Sequence, residues 1–334
     1  MNSTRPAAAS PQETESTFLA LPLAAFAYVG SAEVNVYCLE RDQSTVRLFR
    51  PHDRPFTATE LGELKRRGTQ TLLVKYSDYS QVTSLLYANL EDLAKDARIT
   101  PSERMVLAQA AIHDVLEISW GMLRPDRFVD LSRRFAGIVS GLVHAADANL
   151  ATMFPVLQHG GSYAVHATNV AYYAAVLARV LGESSVDRLR EFALGAMLHD
   201  LGLRPQRQLP SHAAPSRGTN WRHEDGEESC SWHPQLAFEE LSARPDVTET
   251  QRLMAYQHHE NVDGTGYPVG LVGDEIHPWS RLLSVVDCFD TLTCGLPGQN
   301  RLSAPSALVV LEAHLGQSLD AEYTECWIKA FHRK

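Results

Sequence analysis

The chain has 334 residues, of which 44% are hydrophobic and 21% charged, a composition typical of a globular protein with room for two domains. Its formal net charge of −10 argues against a nucleic-acid polymer as partner, because such binding relies on a lysine- and arginine-rich surface. A small phosphate ligand remains compatible with this charge, since a few bound metal ions can supply positive charge locally.

The cysteines and the longest apolar stretch indicate the cellular compartment in which the protein is expected. Five cysteines, at 38, 230, 288, 294 and 326, form no CxxC pair, which is typical of reduced thiols. The stretch 18–30 is too short to span a bilayer, and Glu13 and Glu15 precede it where a signal peptide would carry positive charge. We therefore expect a buried segment, no membrane span and a cytoplasmic protein.

The N-terminal region begins with a polar tail and continues with a hairpin. Residues 1–16 are rich in Ser, Thr, Ala and Pro and show no periodic pattern, so we expect them to be disordered. The apolar alternation in 34–37 and 45–49 flanks the polar segment 41–44, which predicts a β-hairpin.

A short helix and a further strand follow the hairpin. Thr57 and Glu60 have the spacing of a capping box, and Gly68 is placed to end the helix that this box begins. Residues 71–76 predict another strand. The segment 17–80 is therefore expected to form a small α+β domain.

From 81 to 150 the apolar residues recur at helical spacing. The pattern predicts one helix through 86–93, a second beginning at Pro101 and a third through 128–142. We interpret 81–150 as linking helices. A plain helical core explains this pattern. Pairing of these helices into a homodimer is the less favoured alternative, and the sequence leaves it open.

The segment 151–334 is predicted to be an all-helical domain, interrupted by a long exposed loop at 204–231, which is rich in Arg, Pro, Ser, His and Glu. Its candidate functional residues are five histidines and two aspartates. Most of them lie near predicted helix ends. One aspartate lies inside the apolar stretch 282–292, where an unpaired carboxylate would be costly to bury. These residues are His166, His199, Asp200, His233, His258, His259 and Asp287.

Imidazoles and carboxylates are the usual protein ligands of divalent iron, manganese, nickel and zinc. A carboxylate can also bridge two ions through its two oxygens, and two ions about 3.5–4 Å apart can polarise a phosphoryl group. We therefore predict a two-metal site that cleaves a phosphodiester. A second His-Asp pair, His113-Asp114, lacks any neighbouring ligand pattern and is interpreted as structural.

Three segments resemble the HD-GYP family, a branch of the HD-domain phosphohydrolases that degrades the bacterial second messenger cyclic di-GMP. They are HDLG at 199–202, HHENVDGTGYP at 258–268 and VDCFDTL at 286–292. The resemblance covers roughly 155–334. It implies a mainly α fold, with an all-helical HD-type domain preceded by the small α+β domain and the linking helices.

The resemblance also implies the roles of individual residues. One metal would be held by His166, His199, Asp200 and Asp287, and Asp200 would bridge to a second metal held by His233 and His258. His259 would be a further ligand or a group that orients the site. Catalysis would involve Asp200, His259 and Tyr267, and substrate would contact Gly264, Gly266, Tyr267, Pro268 and Arg301.

The implied cofactors are two divalent ions, iron first, with manganese, nickel or zinc as alternatives. A hydroxide between the metals would attack phosphorus in line, giving linear pGpG and, on further processing, GMP. Cyclic GMP-AMP is an alternative substrate. A catalytically weak protein that senses cyclic di-GMP or docks a signalling protein is the alternative function, and an HD-domain nucleotidase is a less favoured third.

The sequence departs from the family pattern at two positions. Leu203 stands where the family usually has a lysine that contacts the scissile phosphate, and Ser162 stands where some members have a glutamate that holds a third metal, so two metals are predicted. An arginine of the polar loop could supply the missing cation: Arg204, Arg207, Arg217 or Arg222.

Overall fold

The computed structural model describes residues 18–29, 33–39, 45–54, 56–122, 124–145, 150–157, 159, 162–204, 232–294 and 301–332. The chain divides into two compact units, Met1–Asp114 and Val115–Lys334. The division falls between the boundaries at 80 and 150 that the sequence suggests, so the helices interpreted as a linker are shared between the two units. The expected tail, 1–16, and 205–231 of the expected loop lie outside the described residues.

The N-terminal unit contains a four-stranded antiparallel sheet. Its strands are β1 (Phe18–Pro22), β2 (Val36–Leu39), β3 (Val46–Arg50) and β4 (Thr71–Lys75), in the order β1-β4-β2-β3. Strands β2 and β3 pair as the predicted hairpin, whose turn lies outside the described residues. The apolar stretch at 18–29 forms β1 and the short helix α1 (Phe26–Val29), and it buries Leu21, Leu23, Phe26 and Val29.

The remaining helices of this unit are α2 (Ala58–Arg66), α3 (Tyr79–Ala88), α4 (Leu90–Lys95) and the first part of α5 (Pro101–Trp120). The predicted capping box is confirmed, because Thr57 Oγ1 accepts from the Glu60 amide at 3.3 Å and the Glu60 carboxylate accepts from the Thr57 amide at 3.0 Å. Gly68, with φ of 82°, follows the end of α2 as expected. None of the helices in the described ranges is long and apolar enough to cross a membrane.

Within the described residues of the C-terminal unit, the regular secondary structure is helical, and two isolated bridges join loop residues. After α5 come α6 (Asp126–Ala145), α7 (Leu150–Met153), α8 (Tyr163–Val180), α9 (Val186–Leu198), α10 (His233–Ser242), α11 (Glu249–Gln257), α12 (Pro278–Cys294), α13 (Ala304–Ala313) and α14 (Ala321–His332). The expected fold class, mainly α with a small N-terminal α+β region, is confirmed.

Helix α8 lies at the centre of this unit. It packs against α6, α9, α12 and α14, and its residues from 164 to 178 are all buried. Ser162 caps it by accepting from the Val165 amide, and Ser185 caps α9 in the same way through Arg188. Because α8 is surrounded, a polar side chain on its first turns lies in the core, where it needs partners.

Candidate metal centre

The seven candidate ligands come from five helices. His166 lies on the first turn of α8, and His199 and Asp200 follow the last residue of α9. His233 is the first residue of α10, the pair at 258–259 follows the end of α11, and Asp287 lies in the middle of α12. All seven are buried, with Asp200 the most exposed at 8%.

The structure brings the seven residues together in two adjoining groups. His166, His199 and Asp287 form the first group, and Asp200, His233, His258 and His259 form the second. Within each group the ligand atoms lie within 4.8 Å of one another. These are the residues singled out from the sequence, so the two groups are where the predicted metals would be held.

Asp200 lies between the two groups and faces each with a different oxygen. Its Oδ2 is 3.3 Å from His199 Nε2 and 3.6 Å from His166 Nε2. Its Oδ1 is 3.1 Å from His233 Nε2 and 3.4 Å from His258 Nε2. A carboxylate in this position can donate one oxygen to each of two ions, as a bridging ligand must.

Asp287 completes the first group from the opposite side. Its Oδ1 lies 3.3 Å from His166 Nε2 and 3.6 Å from His199 Nε2. Two imidazoles and two carboxylate oxygens therefore converge there, a donor set that fits a divalent transition metal.

The other ring nitrogens fix the imidazoles in the orientation that a metal needs. His199 Nδ1 donates to the Ala196 carbonyl at 2.6 Å, and His258 Nδ1 donates to the Ala255 carbonyl at 2.9 Å. His166 Nδ1 lies 2.8 Å from Asp290 Oδ2. Because a carbonyl or carboxylate oxygen can only accept, each Nδ1 carries the proton and each Nε2 presents its lone pair to the centre.

The charges of the centre shift the proton affinities of its members. Burial disfavours charge on His166, but hydrogen bonds to Asp287 and Asp290 outweigh it and raise the pKa of His166 well above its usual value. Burial likewise opposes charge on His199, yet the two neighbouring aspartates raise its pKa to about 10. In the second group, burial and two neighbouring imidazoles lower the pKa of His258 to about 4.

The Gly-Tyr-Pro loop packs directly on the second group. The Tyr267 ring stacks on His259 with 4.8 Å between ring centroids, and the Tyr267 amide donates to the His259 carbonyl at 3.2 Å. A Cβ at Gly266 would meet the His259 carbonyl at 2.5 Å, so only glycine permits this approach. Tyr267 is 6% exposed, and its ring face is already covered by His259. Its contact with substrate stays a prediction.

Sequence reasoning assigned no role to Glu260, which organises this loop. Its buried carboxylate accepts from the amides of Val269 at 2.7 Å, Gly270 at 3.0 Å and Leu271 at 3.0 Å. Burial raises the pKa of Glu260 despite these three amides. The residue was part of the quoted motif, but nothing in the sequence showed that it folds back on the chain nine to eleven residues later.

Asp290 and Asn169 were also missed. Asp290 accepts from His166 Nδ1 with one oxygen and from Asn169 Nδ2 with the other, the latter at 3.0 Å, and both residues are 0% exposed. Asp290 could have been found by the same signal that pointed to Asp287, because both are acidic residues within an apolar stretch.

The structure also bears on the departures from the family pattern. The Arg204 guanidinium is buried and bonded to Glu240 at 3.0 Å and to the carbonyls of Trp120 and Met122. Each of its three guanidinium nitrogens already has an acceptor, so the structure argues against Arg204 as the replacement for the missing lysine. The other three candidate arginines lie outside the described residues.

Ser162 and Arg301 have different surroundings. Ser162 donates to Glu117 Oε1 at 2.7 Å, and the same oxygen accepts from the Ala164 amide at 2.8 Å. A carboxylate thus lies beside the position that lacks glutamate, but it belongs to neither of the two groups. Arg301 is exposed, and its proposed contact with phosphate stays a prediction.

Comparison with known proteins identifies the family. A family model described as "HD domain" matches residues 130–323, more than half of the chain. The chain therefore belongs to the HD-domain family. A solved structure from Bdellovibrio bacteriovorus, Bd1817, described as an HDG"Y"P protein, matches 95% of this chain and 100% of its own with a TM-score of 0.62. Its identity of 17% shows a shared fold.

Curated relatives match about half of the chain. The 3'3'-cGAMP-specific phosphodiesterase 3 of Vibrio cholerae is 31% identical over 158 residues, 47% of this chain and 33% of the relative. The cyclic di-GMP phosphodiesterase response regulator RpfG of Xanthomonas campestris is 30% identical over 161 residues, 48% of this chain and 41% of the relative. The chain thus spans a third to two fifths of these relatives' length. The predicted HD-GYP-type domain is confirmed.

Proposed function

We propose that the protein is a metal-dependent phosphodiesterase that hydrolyses a cyclic dinucleotide, cyclic di-GMP first, to its linear form pGpG, with GMP as the product of any second cleavage. The observation that carries the proposal is the position of Asp200, whose two oxygens face two separate groups of buried imidazoles. The relatives named as cyclic di-GMP and cGAMP phosphodiesterases supply the substrate class.

The residues fit two divalent ions. The first would be held by His166, His199, Asp287 and Asp200 Oδ2, and the second by His233, His258, His259 and Asp200 Oδ1. The ions would be iron, with manganese, nickel or zinc as alternatives. Such a pair polarises a phosphoryl group and lowers the pKa of bound water, so that hydroxide is available near neutral pH. Two backbone carbonyls and the Asp290 carboxylate behind the imidazoles hold this geometry before any ion or substrate binds.

The loop residues would position the substrate. The Gly266 backbone lies against the 259–261 backbone, which places the Tyr267 segment next to a ligand of the second ion. Glu260 holds the far side of the same loop through three amides, so the loop is fixed relative to the metals. A dinucleotide phosphate bound between the ions would then contact a loop that is already ordered, so less of its binding energy would go into ordering that loop.

One observation favours the alternative function, a weak enzyme that senses cyclic di-GMP or docks a signalling protein. Leu203 provides no positive charge, and the adjacent Arg204 is bound to Glu240 instead. Loss of a charge-assisted bond to phosphate reduces the rate roughly ten- to a hundredfold where the bond forms mainly in the transition state. Such a loss weakens catalysis but leaves metal binding intact.

The experiment measures turnover and metal content on the same sample. Protein purified without oxygen is loaded with Fe(II) or Mn(II), incubated with cyclic di-GMP or cyclic GMP-AMP, and the nucleotides are separated by chromatography. We expect two ions per chain and the appearance of linear dinucleotide. Asp200→Ala should abolish both, while Asp114→Ala, the matching change in the other His-Asp pair, should preserve both.

The outcomes separate the two functions. Intact nucleotide in the presence of two bound ions would refute the enzyme, and calorimetric titration with cyclic di-GMP would then test the sensor. Equal turnover by Asp200→Ala would show that the reaction does not take place at this centre.

A further inference from the structure

The two groups of ligands differ in what lies behind them. Of the three imidazoles whose Nδ1 contact is described, those of His199 and His258 face backbone carbonyls, at 2.6 and 2.9 Å. The third, His166, faces the carboxylate of Asp290 at 2.8 Å. An imidazole that donates to a carboxylate is a stronger metal ligand than one that donates to a neutral carbonyl, because the negative charge raises the basicity of its other nitrogen.

Asp290 is held so that its charge acts on His166. It is 0% exposed, its second oxygen accepts from Asn169 Nδ2 at 3.0 Å, and Asn169 lies one turn after His166 on α8. Among the described residues, the one ion pair of Asp290 is with His166. Its charge is therefore neither screened by solvent nor shared with an arginine or lysine of the described chain.

The charges of the two positions differ accordingly. The first position has Asp287 and one oxygen of Asp200 as ligands, with Asp290 behind His166. The second position has three imidazoles and the other oxygen of Asp200. Since both positions are buried, the extra negative charge at the first is weakly screened and favours a cation there.

We propose that the two metal positions bind with unequal affinity, the first more tightly, and that Asp290 is the positioning residue that sets the difference through His166. This inference rests on the two-metal site of the proposed function. It predicts that the ions load in sequence, with one ion retained at concentrations of free metal that leave the second position unfilled. Loss of such an outer partner lowers metal affinity about 10- to 100-fold.

The test is an equilibrium titration with Mn(II). Metal-free protein is dialysed without oxygen against buffers of graded free Mn(II), and bound metal is counted by mass spectrometry. The native protein should bind in two steps at least tenfold apart. Asp290→Asn, which keeps the shape but removes the charge, should weaken the tighter step about 10- to 100-fold and the weaker step less than threefold, so that the steps merge.

Three further variants assign the effect. Asp290→Glu keeps the charge and should retain two separate steps, and His233→Ala should remove only the weaker step. Asp320→Asn is the control: it removes the carboxylate that pairs with Arg281, which lies on α12 as Asp290 does, and it should leave the titration unchanged. If Asp290→Asn does not fold, Asn169→Ala, which releases the second oxygen of Asp290, should weaken the tighter step about tenfold.

Each result decides a different point. A native titration in one step, with two ions of equal affinity, overturns the inequality and leaves the proposed function standing. Equal weakening of both steps by Asp290→Asn, or none, overturns the role of Asp290. A native protein that binds no metal overturns the proposed function and this inference with it.

Discussion

Glu260 offers a direct test of how the loop beside the second metal position is held. Glu260→Gln preserves the size of the side chain but replaces one carboxylate oxygen by an amide NH₂ group. The oxygen Oε1 faces the Val269 amide at 2.7 Å, while Oε2 faces the amides of Gly270 and Leu271, each at 3.0 Å. The Gly270 amide also lies 3.3 Å from Oε1. The glutamine can keep the bond to Val269 through its remaining oxygen, but its NH₂ group then faces the Leu271 amide, and Gly270 keeps only the longer contact.

The size of the effect follows from these contacts. Each amide left without an acceptor costs about 1 kcal/mol at the lower end of the usual range, which is appropriate because these amides are only partly buried. One amide lost and one weakened give about 1–2 kcal/mol, or roughly a 5- to 30-fold increase in the population of the open loop. Removal of the buried charge offsets part of this loss in the whole protein, since burial raises the pKa of Glu260 and thus disfavours its charged form. Global stability should therefore change less than the loop does.

Hydrogen exchange read by mass spectrometry separates these two effects. Peptides that contain the amides of Gly270 and Leu271 should exchange about 5 to 30 times faster in Glu260→Gln, while helix α8 should exchange at its native rate. The control is Glu275→Gln, because Glu275 accepts a single exposed amide bond from Val272 at 2.9 Å and its loss should change exchange less than threefold. Native exchange rates at Gly270 and Leu271 in Glu260→Gln would show that the carboxylate does not hold the loop.

Three other substitutions test separate features. Leu203→Lys should raise kcat/KM for cyclic di-GMP about tenfold without changing metal content, and an unchanged rate would mean that no cation is needed there. Arg204→Ala removes the hydrogen bonds to Glu240 and to the carbonyls of Trp120 and Met122 and should lower the free energy of unfolding by roughly 3 kcal/mol in urea titrations, with KM unchanged. Hydrogen bonds from Arg244, and further ones from Arg133, lower the pKa of Asp246 to about 2. Asp246→Asn should therefore destabilise the protein by up to about 1 kcal/mol above pH 4, and the difference should vanish as the pH falls to 2, as thermal unfolding across that range would show.

The parts of the fold that the sequence predicted are those specified by local patterns. The Thr57–Glu60 capping box, the pairing of β2 with β3 and the start of α5 at Pro101 each depend on residues a few positions apart. Ligand candidates were found for a related reason. A polar residue within an apolar helix or at a helix end needs a partner, and Asp287 within α12 is the clearest case.

The parts that were missed depend on contacts between distant segments. The distance in sequence between Asp290 and His166, or between Arg204 and Trp120, carries no periodic signal. Arg204 looked available for phosphate because it follows the motif directly, but its side chain extends to the end of α5 and to Glu240 on α10. Which cation a buried carboxylate attracts is decided by tertiary packing, and a single sequence does not record it.

The two His-Asp pairs of this chain show why the dipeptide alone has little predictive value. His113 and Asp114 lie inside α5, where the Asp114 carboxylate contacts its own neighbour at 3.1 Å and accepts from Thr83 at 3.0 Å. Helix α9, by contrast, ends at Leu198, so the chain turns at Asp200 and directs both oxygens out of the helix. Gly202 permits the close approach of α10, because a Cβ there would overlap the His233 backbone and push away the second group of ligands. In this chain the His-Asp pair that we propose to bind metal lies at a helix end and is followed by a glycine that admits His233, so Gly202→Ala should remove the proposed second metal while the His-Asp dipeptide remains intact.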